Sequence, residues 1–120
     1  MKKNRNFELV NERTGQTLVA RLRVANDFLT RLRGLLGRKG LPAGEGIFFP
    51  DCNSIHMFMM LFSIDVVYVD AEMRVVKIVR RLKPWRLSMS RKASGVIEVC
   101  TGEADKHDIR IGDHMIIKEN

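Results

Sequence analysis

The chain has few cysteines and no long hydrophobic run, and both shortages limit what it can be. Two cysteines, Cys52 and Cys100, are too few for a disulfide framework. The longest unbroken apolar run covers residues 57–62, well below the ~20 residues that a membrane-spanning helix needs. Residues 1–11 are charged and polar and lack the apolar core of a signal peptide. We therefore expect a cytoplasmic protein with reduced thiols and no membrane partner.

Acidic residues are absent from positions 73–97, although the net charge of the whole chain is only +7. A basic surface of this kind attracts phosphates, nucleic acids or acidic partners. The same charge would also serve merely to keep a surface hydrated and the protein in solution, and the composition leaves both interpretations open. The cations of this stretch are Arg74, Lys77, Arg80, Arg81, Lys83, Arg86, Arg91 and Lys92.

The length and composition suit one ordinary globular domain. The chain has 120 residues, of which 45% are hydrophobic, and it shows no repeat or linker, so we expect a single domain over residues 1–120. Alternating or β-branched runs predict about seven strands. These strands are expected at residues 7–11, 17–24, 46–49, 64–69, 74–82, 95–100 and 114–118, with an extended segment at 51–62.

Two helices are predicted between the strands. Asn26 is a suitable N-cap for a longer helix with an apolar stripe, and Gly37 is a suitable stop. Thr101 is the expected cap of a short helix at 102–107, whereas 83–94 is expected to be a loop. Because hairpin connections dominate, we predict an α+β fold with a mainly antiparallel sheet that is curled or barrel-like.

Several segments of the chain resemble a known family in their order and spacing. The chain is similar to domain of unknown function 192, a widespread prokaryotic family, over roughly residues 8–118. The resemblance implies a single α+β domain with a barrel-like sheet, and it implies no particular reaction. The segments that carry it are Ser54-Ile55-His56-Met57-Phe58-Met59-Met60, Ile64-Asp65-Val66-Val67-Tyr68-Val69-Asp70, Arg33-Gly34-Leu35-Leu36-Gly37-Arg38, Val75-Val76-Lys77-Ile78, Lys83-Pro84-Trp85-Arg86, Val96-Ile97-Glu98-Val99 and Gly112-Asp113.

A row of polar residues precedes the methionine cluster. Residues two apart on a strand share a face, so Cys52, Ser54 and His56 should point the same way. A cysteine and a histidine suggest a nucleophile and its base. Four residues of strand span ~13 Å, however, which is too far for a direct hydrogen bond or a shared metal. The row is therefore a polar edge of the sheet, part of a ligand pocket, or a catalytic pair brought together by a bend.

Asp65 stands within an otherwise apolar run, so we expect it to be buried with a partner. His56, Arg86 and backbone N–H groups are the candidate partners. The carboxylate would then either hold a turn or a strand end in place or serve as a general acid or base.

The only tryptophan lies in a loop beside cations and a proline. Trp85 and Arg86 are residue types favoured at recognition sites, and they are flanked by Lys83 and Ser88. The alternative is a tryptophan that plugs one end of the barrel with its N–H satisfied. The loop position favours a functional role for these residues.

These observations lead to one main hypothesis and two alternatives. The main hypothesis is a small binding domain whose pocket holds an anionic small molecule or an acidic partner. The alternatives are an enzyme that uses Cys52 with His56 or Asp65, and a nucleic-acid-binding module that uses the basic stretch at 74–92. No cofactor or metal is expected, and whether the protein is an enzyme is left open. The predicted site consists of Cys52, Ser54, His56, Asp65, Lys83, Trp85, Arg86 and Ser88.

Overall fold

Strands dominate the computed structural model, which describes residues 7–25, 40–57 and 61–119. Four of the predicted strands agree residue for residue with the structure, and the others differ at their ends by one residue. The elements of the described part are β1 (Phe7–Asn11), β2 (Thr17–Val24), β3 (Glu45–Pro50), β4 (Ser54–His56), β5 (Ile64–Val69), β6 (Val75–Leu82), β7 (Leu87–Met89), β8 (Gly95–Cys100), α1 (Glu103–Lys106) and β9 (Met115–Glu119).

Seven of these strands form one curled sheet in the order β6-β5-β8-β3-β2-β1-β9. Its two edge strands approach each other at one corner, where Arg74 and His114 form a bridge and the Val75 amide donates to the Asp113 carbonyl at 2.8 Å. The sheet is therefore a half-barrel that is joined at one corner.

The sheet is mixed, because β2 and β3 are parallel while its other neighbours are antiparallel. A parallel pair needs a crossover connection, and residues 25–44 provide it. The longer helix predicted from Asn26 to Gly37 falls in this connection and lies outside the described residues. In the described part, the only helix is the short α1.

The sheet buries apolar side chains on both faces. Leu9, Val67 and Met115 belong to one cluster that draws on strands from both edges, so this cluster fills the concave side. Ile47 and Tyr68 belong to a second cluster on the opposite face. Every residue of β5 is buried, in keeping with its mostly β-branched and aromatic sequence.

A two-stranded ribbon made of β4 and β7 covers part of the second cluster. The two strands are antiparallel, with Ser54 opposite Met89 and His56 opposite Leu87. Ile55 of β4 is buried in the second cluster. The prediction that 83–94 is only a loop was therefore wrong, because three of its residues pair with a strand that is distant in sequence. The extended segment predicted at 51–62 is a strand only at β4.

No helix in the described ranges is long and apolar enough to span a membrane.

Gly95 is the first residue of β8, and its close packing against Phe48 gives a test of the fold. A Cβ at this position would lie 2.7 Å from Cε1 of Phe48 and 3.3 Å from Cγ2 of Val69. We expect Gly95→Ala to lower the free energy of unfolding by about 1–3 kcal/mol, since overpacking forces neighbours to move. Gly40→Ala is the control, because no atom lies within 4 Å of its added Cβ. Equal urea midpoints for the two variants would contradict this packing.

Candidate functional site

A groove of about 760 Å³ lies between the ribbon and the edge strand β6. Most of its lining is apolar and comes from Ile55, Val79, Leu82, Leu87 and Met89. Its polar lining comes from Ser54, Lys77 and Ser88. A mostly apolar groove with a few polar groups is the usual form of a ligand site.

Two contacts position the ammonium group of Lys77 at this groove. Its Nζ donates a hydrogen bond to the Met89 carbonyl oxygen at 2.7 Å and lies 5.8 Å from the centroid of the Tyr68 ring. Tyr68 is directly opposite Lys77 in the pairing of β5 with β6, so the two side chains share a face. The Tyr68 hydroxyl in turn donates to Oγ of Ser88 at 2.9 Å. These contacts tie β7 to the sheet below it and place an ammonium group where an anion could reach it.

The loop at residues 83–86, which contains Trp85, is called the tryptophan loop. Backbone hydrogen bonds hold it beside the groove. The Trp85 amide donates to the Met57 carbonyl at 2.7 Å, and the Met57 amide donates to the Arg86 carbonyl at 2.8 Å. Trp85 has a φ of 66°, which is uncommon for a residue with a side chain. Its side chain is 62% exposed. The interpretation of Trp85 as a plug in the barrel end is therefore wrong.

The pairing of β4 with β7 places the strand that carries Ser54 beside the strand that follows Trp85. Ser54 and Ser88 both line the groove. Lys83 and Arg86 are exposed in the turn that precedes β7, where the Arg86 amide donates to the Lys83 carbonyl. His56 takes part through its backbone, in the strand β4.

The two cysteines have different surroundings. Cys52 is half-buried, and its Sγ donates to the Ser54 carbonyl oxygen at 3.1 Å. Burial, followed by the charges of Glu103 and Asp65, raises the pKa of the Cys100 thiol, so this group is a poor nucleophile at neutral pH. Among the described residues, no three His, Cys, Asp or Glu side chains lie close enough together to hold a metal ion.

Asp65 is buried, as predicted, but it does not line the groove. Its carboxylate accepts hydrogen bonds from the amides of Arg81, Gly102 and Ala104 at 2.9–3.0 Å and from the Thr101 hydroxyl at 3.5 Å. Backbone N–H groups are thus its main partners, one of the three predicted options. The prediction that Thr101 caps the short helix was wrong, because Gly102 is the N-cap. The hydrogen bond from the Ala104 amide is accepted by the Asp65 carboxylate of β5. These bonds hold β5, β6 and α1 together.

Among the described residues, three buried carboxylates were not predicted from the sequence, those of Glu98, Glu103 and Asp113. Glu98 is fully buried in β8, between Ile47 and Val66 on the neighbouring strands. Asp113 is buried at the joined corner of the half-barrel. For Glu98, a charged residue within an apolar β-run was the signal that could have revealed its burial.

Asp113 is the centre of a polar cluster at the joined corner. Its carboxylate accepts hydrogen bonds from Nδ2 of Asn11 at 2.9 Å, Nε of Arg13 at 2.7 Å and the Arg110 amide at 2.8 Å. Burial on its own would raise the pKa of Asp113, but these hydrogen bonds and the Arg13 charge outweigh it and hold the pKa below the ordinary value of an aspartate. The cluster is structural and lies apart from the groove lining.

The sequence matches a family of uncharacterised proteins. Residues 9–117 match the profile of domain of unknown function 192, described as "Uncharacterized ACR, COG1430". A UPF0127 protein of Thermococcus sibiricus is 33% identical over 112 residues, which cover 89% of this chain and 72% of that protein. A UPF0127 protein of Pyrococcus horikoshii is 34% identical over 113 residues, with 89% and 96% covered.

Two crystal structures share the fold at low sequence identity. A candidate transcription regulator from Sinorhizobium meliloti 1021 has a TM-score of 0.77 and 18% identity, covering 93% of this chain and 92% of that one. A protein of unknown function from Novosphingobium aromaticivorans has a TM-score of 0.75 and 22% identity, covering 92% and 83%. The profile match and the relatives together lead to one conclusion: the chain belongs to the domain of unknown function 192 family.

Proposed function

We propose that the protein is a binding domain that holds an anionic ligand in the groove between β6 and the ribbon. The observation that carries this proposal is the ammonium group of Lys77, which is held at the groove by the Met89 carbonyl oxygen. The charges around it support the proposal, because residues 73–97 contain cations and no acid. An anion that enters this groove meets attraction from several sides.

The groove lining defines the ligand more closely. Val79 and Leu82 supply apolar surface, and the hydroxyls of Ser54 and Ser88 supply hydrogen-bonding groups. A suitable ligand therefore combines an anionic group with an apolar body. A phosphate-bearing metabolite or an acidic peptide has this chemistry. The volume, about 760 Å³, is within the range of ~300–1,000 Å³ usual for small-ligand sites.

The surroundings of the aromatic residues favour this proposal over nucleic-acid binding. Single-stranded nucleic acids bind by stacking successive bases on aromatic side chains. Of the single tryptophan and the single tyrosine, Trp85 is exposed whereas Tyr68 is fully buried. One exposed ring of this pair suits a small ligand better than a strand of stacked bases.

Titration with anions tests the proposal. We expect citrate, glucose 6-phosphate or an acidic hexapeptide to change the fluorescence of Trp85. This residue is exposed, and it precedes the groove residue Leu87 by two positions in the sequence. Lys77→Gln should weaken binding measured by calorimetry by about tenfold, the loss expected for one hydrogen bond to a charged group. Lys118→Gln, an equal change of charge on the exposed part of β9, is the control and should have little effect.

Two results would contradict the proposal. One is the absence of calorimetric binding for every anion of the panel at low ionic strength, where such contacts are strongest. The other is an equal loss of affinity in the Lys77→Gln and Lys118→Gln variants, because only general charge attraction would then be at work.

A further inference from the structure

The edge strand β7 carries side chains that edge strands normally avoid. Exposed edges are usually protected by lysine, proline or a bulge, because their free backbone groups attract other strands. β7 instead exposes Leu87 at 69% and Met89 at 54%, and Trp85 precedes them at 62%. In the described part of the chain, β4 is its only neighbour in the ribbon. Among the described residues, one edge of β7 is therefore available, and the side chains beside it are apolar.

The layers of the fold leave space beside this edge. The hydrogen bonds from Tyr68 to Ser88 and from Lys77 to Met89 hold β7 above β5 and β6. The ribbon is two strands wide, whereas the sheet beneath it has seven strands. In the described part of the chain, the groove lies between this ribbon and β6, with Val79 and Leu82 of β6 in its lining. A third strand, at the usual spacing of ~4.8 Å, would cover this part of β6.

The backbone of β7 is oriented for such a strand. The amides of Met57 and Ser90 donate to the carbonyls of Arg86 and Asn53, so these positions pair with the β4 side. In an antiparallel strand, the backbone groups of successive residues point alternately to the two sides of the strand. The N–H and C=O groups of Leu87 therefore face the outer edge. The Met89 carbonyl also faces outward, since it accepts the hydrogen bond from Lys77.

The positive charge around the groove indicates which kind of segment could add to β7. Lys77 lies at the groove, and Lys83, Arg86 and Arg91 are exposed near the two ends of β7. A second copy of this chain would bring the same cations to the contact and would be repelled. A segment with apolar residues in its centre and acidic residues at its ends complements the surface.

We propose that a partner protein adds such a segment, in extended form, to the outer edge of β7 as a third strand of the ribbon. This inference rests on the proposed function, because it takes the anionic ligand of the groove to be an acidic, apolar peptide. Backbone hydrogen bonds supply affinity, and the pockets for alternate side chains supply selectivity. The apolar centre contacts Val79, Leu82 and Leu87, and the side-chain carboxylate of an acidic residue at one end of the segment meets Lys77.

A peptide with selectively blocked amides tests strand addition. The probe is the acetylated and amidated peptide Glu-Val-Thr-Val-Thr-Val-Glu, with two derivatives in which alternate amides are N-methylated in opposite registers. In an extended chain, alternate amides point to opposite edges, so only one register faces β7. We expect the derivative methylated in the register that faces β7 to bind at least ~10-fold more weakly, because it loses a pair of uncharged hydrogen bonds to β7. The derivative methylated in the other register should bind like the parent peptide.

Amide hydrogen exchange gives a second readout on the protein itself. The parent peptide should slow exchange at the Leu87 amide by at least ~10-fold, while citrate at equal saturation should leave it unchanged, because only a strand supplies an acceptor there. Citrate binding together with equal peptide binding in both methylated registers would overturn strand addition and leave the anion site intact. Failure of the peptide, of citrate and of glucose 6-phosphate to bind would overturn the proposed function as well.

Discussion

Replacing Asp65 by alanine is expected to lower the free energy of unfolding by about 3–5 kcal/mol, a large part of the ~5–15 kcal/mol of a typical domain. Three backbone amides, those of Arg81, Gly102 and Ala104, donate to this buried carboxylate at 2.9–3.0 Å. Hydrogen bonds to charged groups contribute about 1.5–3 kcal/mol each, and they are not additive. The alanine variant also leaves buried donors without an acceptor, which adds to the loss.

Urea denaturation followed by circular dichroism measures this effect. Asp105→Ala is the matched control, because it removes an aspartate from α1 whose side chain is 73% exposed. Its ion pair with Arg80 is solvent-exposed, so its loss should change stability by less than ~1 kcal/mol. Similar denaturation midpoints for the two variants would show that Asp65 does not hold β5, β6 and α1 together.

Replacing Asp113 by asparagine is expected to lower the free energy of unfolding by about 2–4 kcal/mol at pH 7. The carboxylate accepts hydrogen bonds from Asn11, Arg13 and the Arg110 amide, and asparagine would put an NH₂ group in the place of one acceptor oxygen. A buried Asn11 amide and a part-buried guanidinium then lose their charged partner. Urea denaturation at pH 7 gives the magnitude.

The stability of the Asp113 cluster depends on pH in a definite direction. The pKa of Asp113 is lower in the folded protein than in the unfolded chain, so the unfolded state binds the proton more tightly. The stabilisation is therefore complete above about pH 4–5 and is lost as the pH falls through the lower folded pKa. Between pH 5 and pH 2, the wild type should lose more stability than Asp113→Asn. Parallel pH profiles for the two proteins would rule out this linkage.

Local sequence patterns were sufficient for most of the large sheet. β5 and β8 are rich in β-branched residues and are bounded by turn residues, and these features are visible within a short window of sequence. β7 has only three residues, Leu87 to Met89, and it is a strand because β4 pairs with it across more than thirty positions. A strand that depends on a distant partner leaves little trace in its own residues.

The candidate site shows the same limit. Ser54 and Ser88 were predicted because they belong to a polar row and a loop around the tryptophan, and both line the groove. Lys77 was seen only as one of many cations on an edge strand, since its contacts with Met89 and Tyr68 depend on how two layers stack. Stacking of layers is a property of the whole fold, so no short window of sequence contains it.

The position of β1 has a consequence for how the chain is made. β1 lies between β2 and β9, with Phe7 opposite Glu119. During translation at ~5–20 residues per second, the early hairpin of β1 and β2 waits roughly 5–20 s before β9 leaves the ribosome. Throughout that time one side of β1 is open to other nascent chains, and closing so long a loop is intrinsically slow. A chaperone that shields the β1–β2 hairpin during this interval would therefore lower the risk of aggregation before β9 pairs with β1.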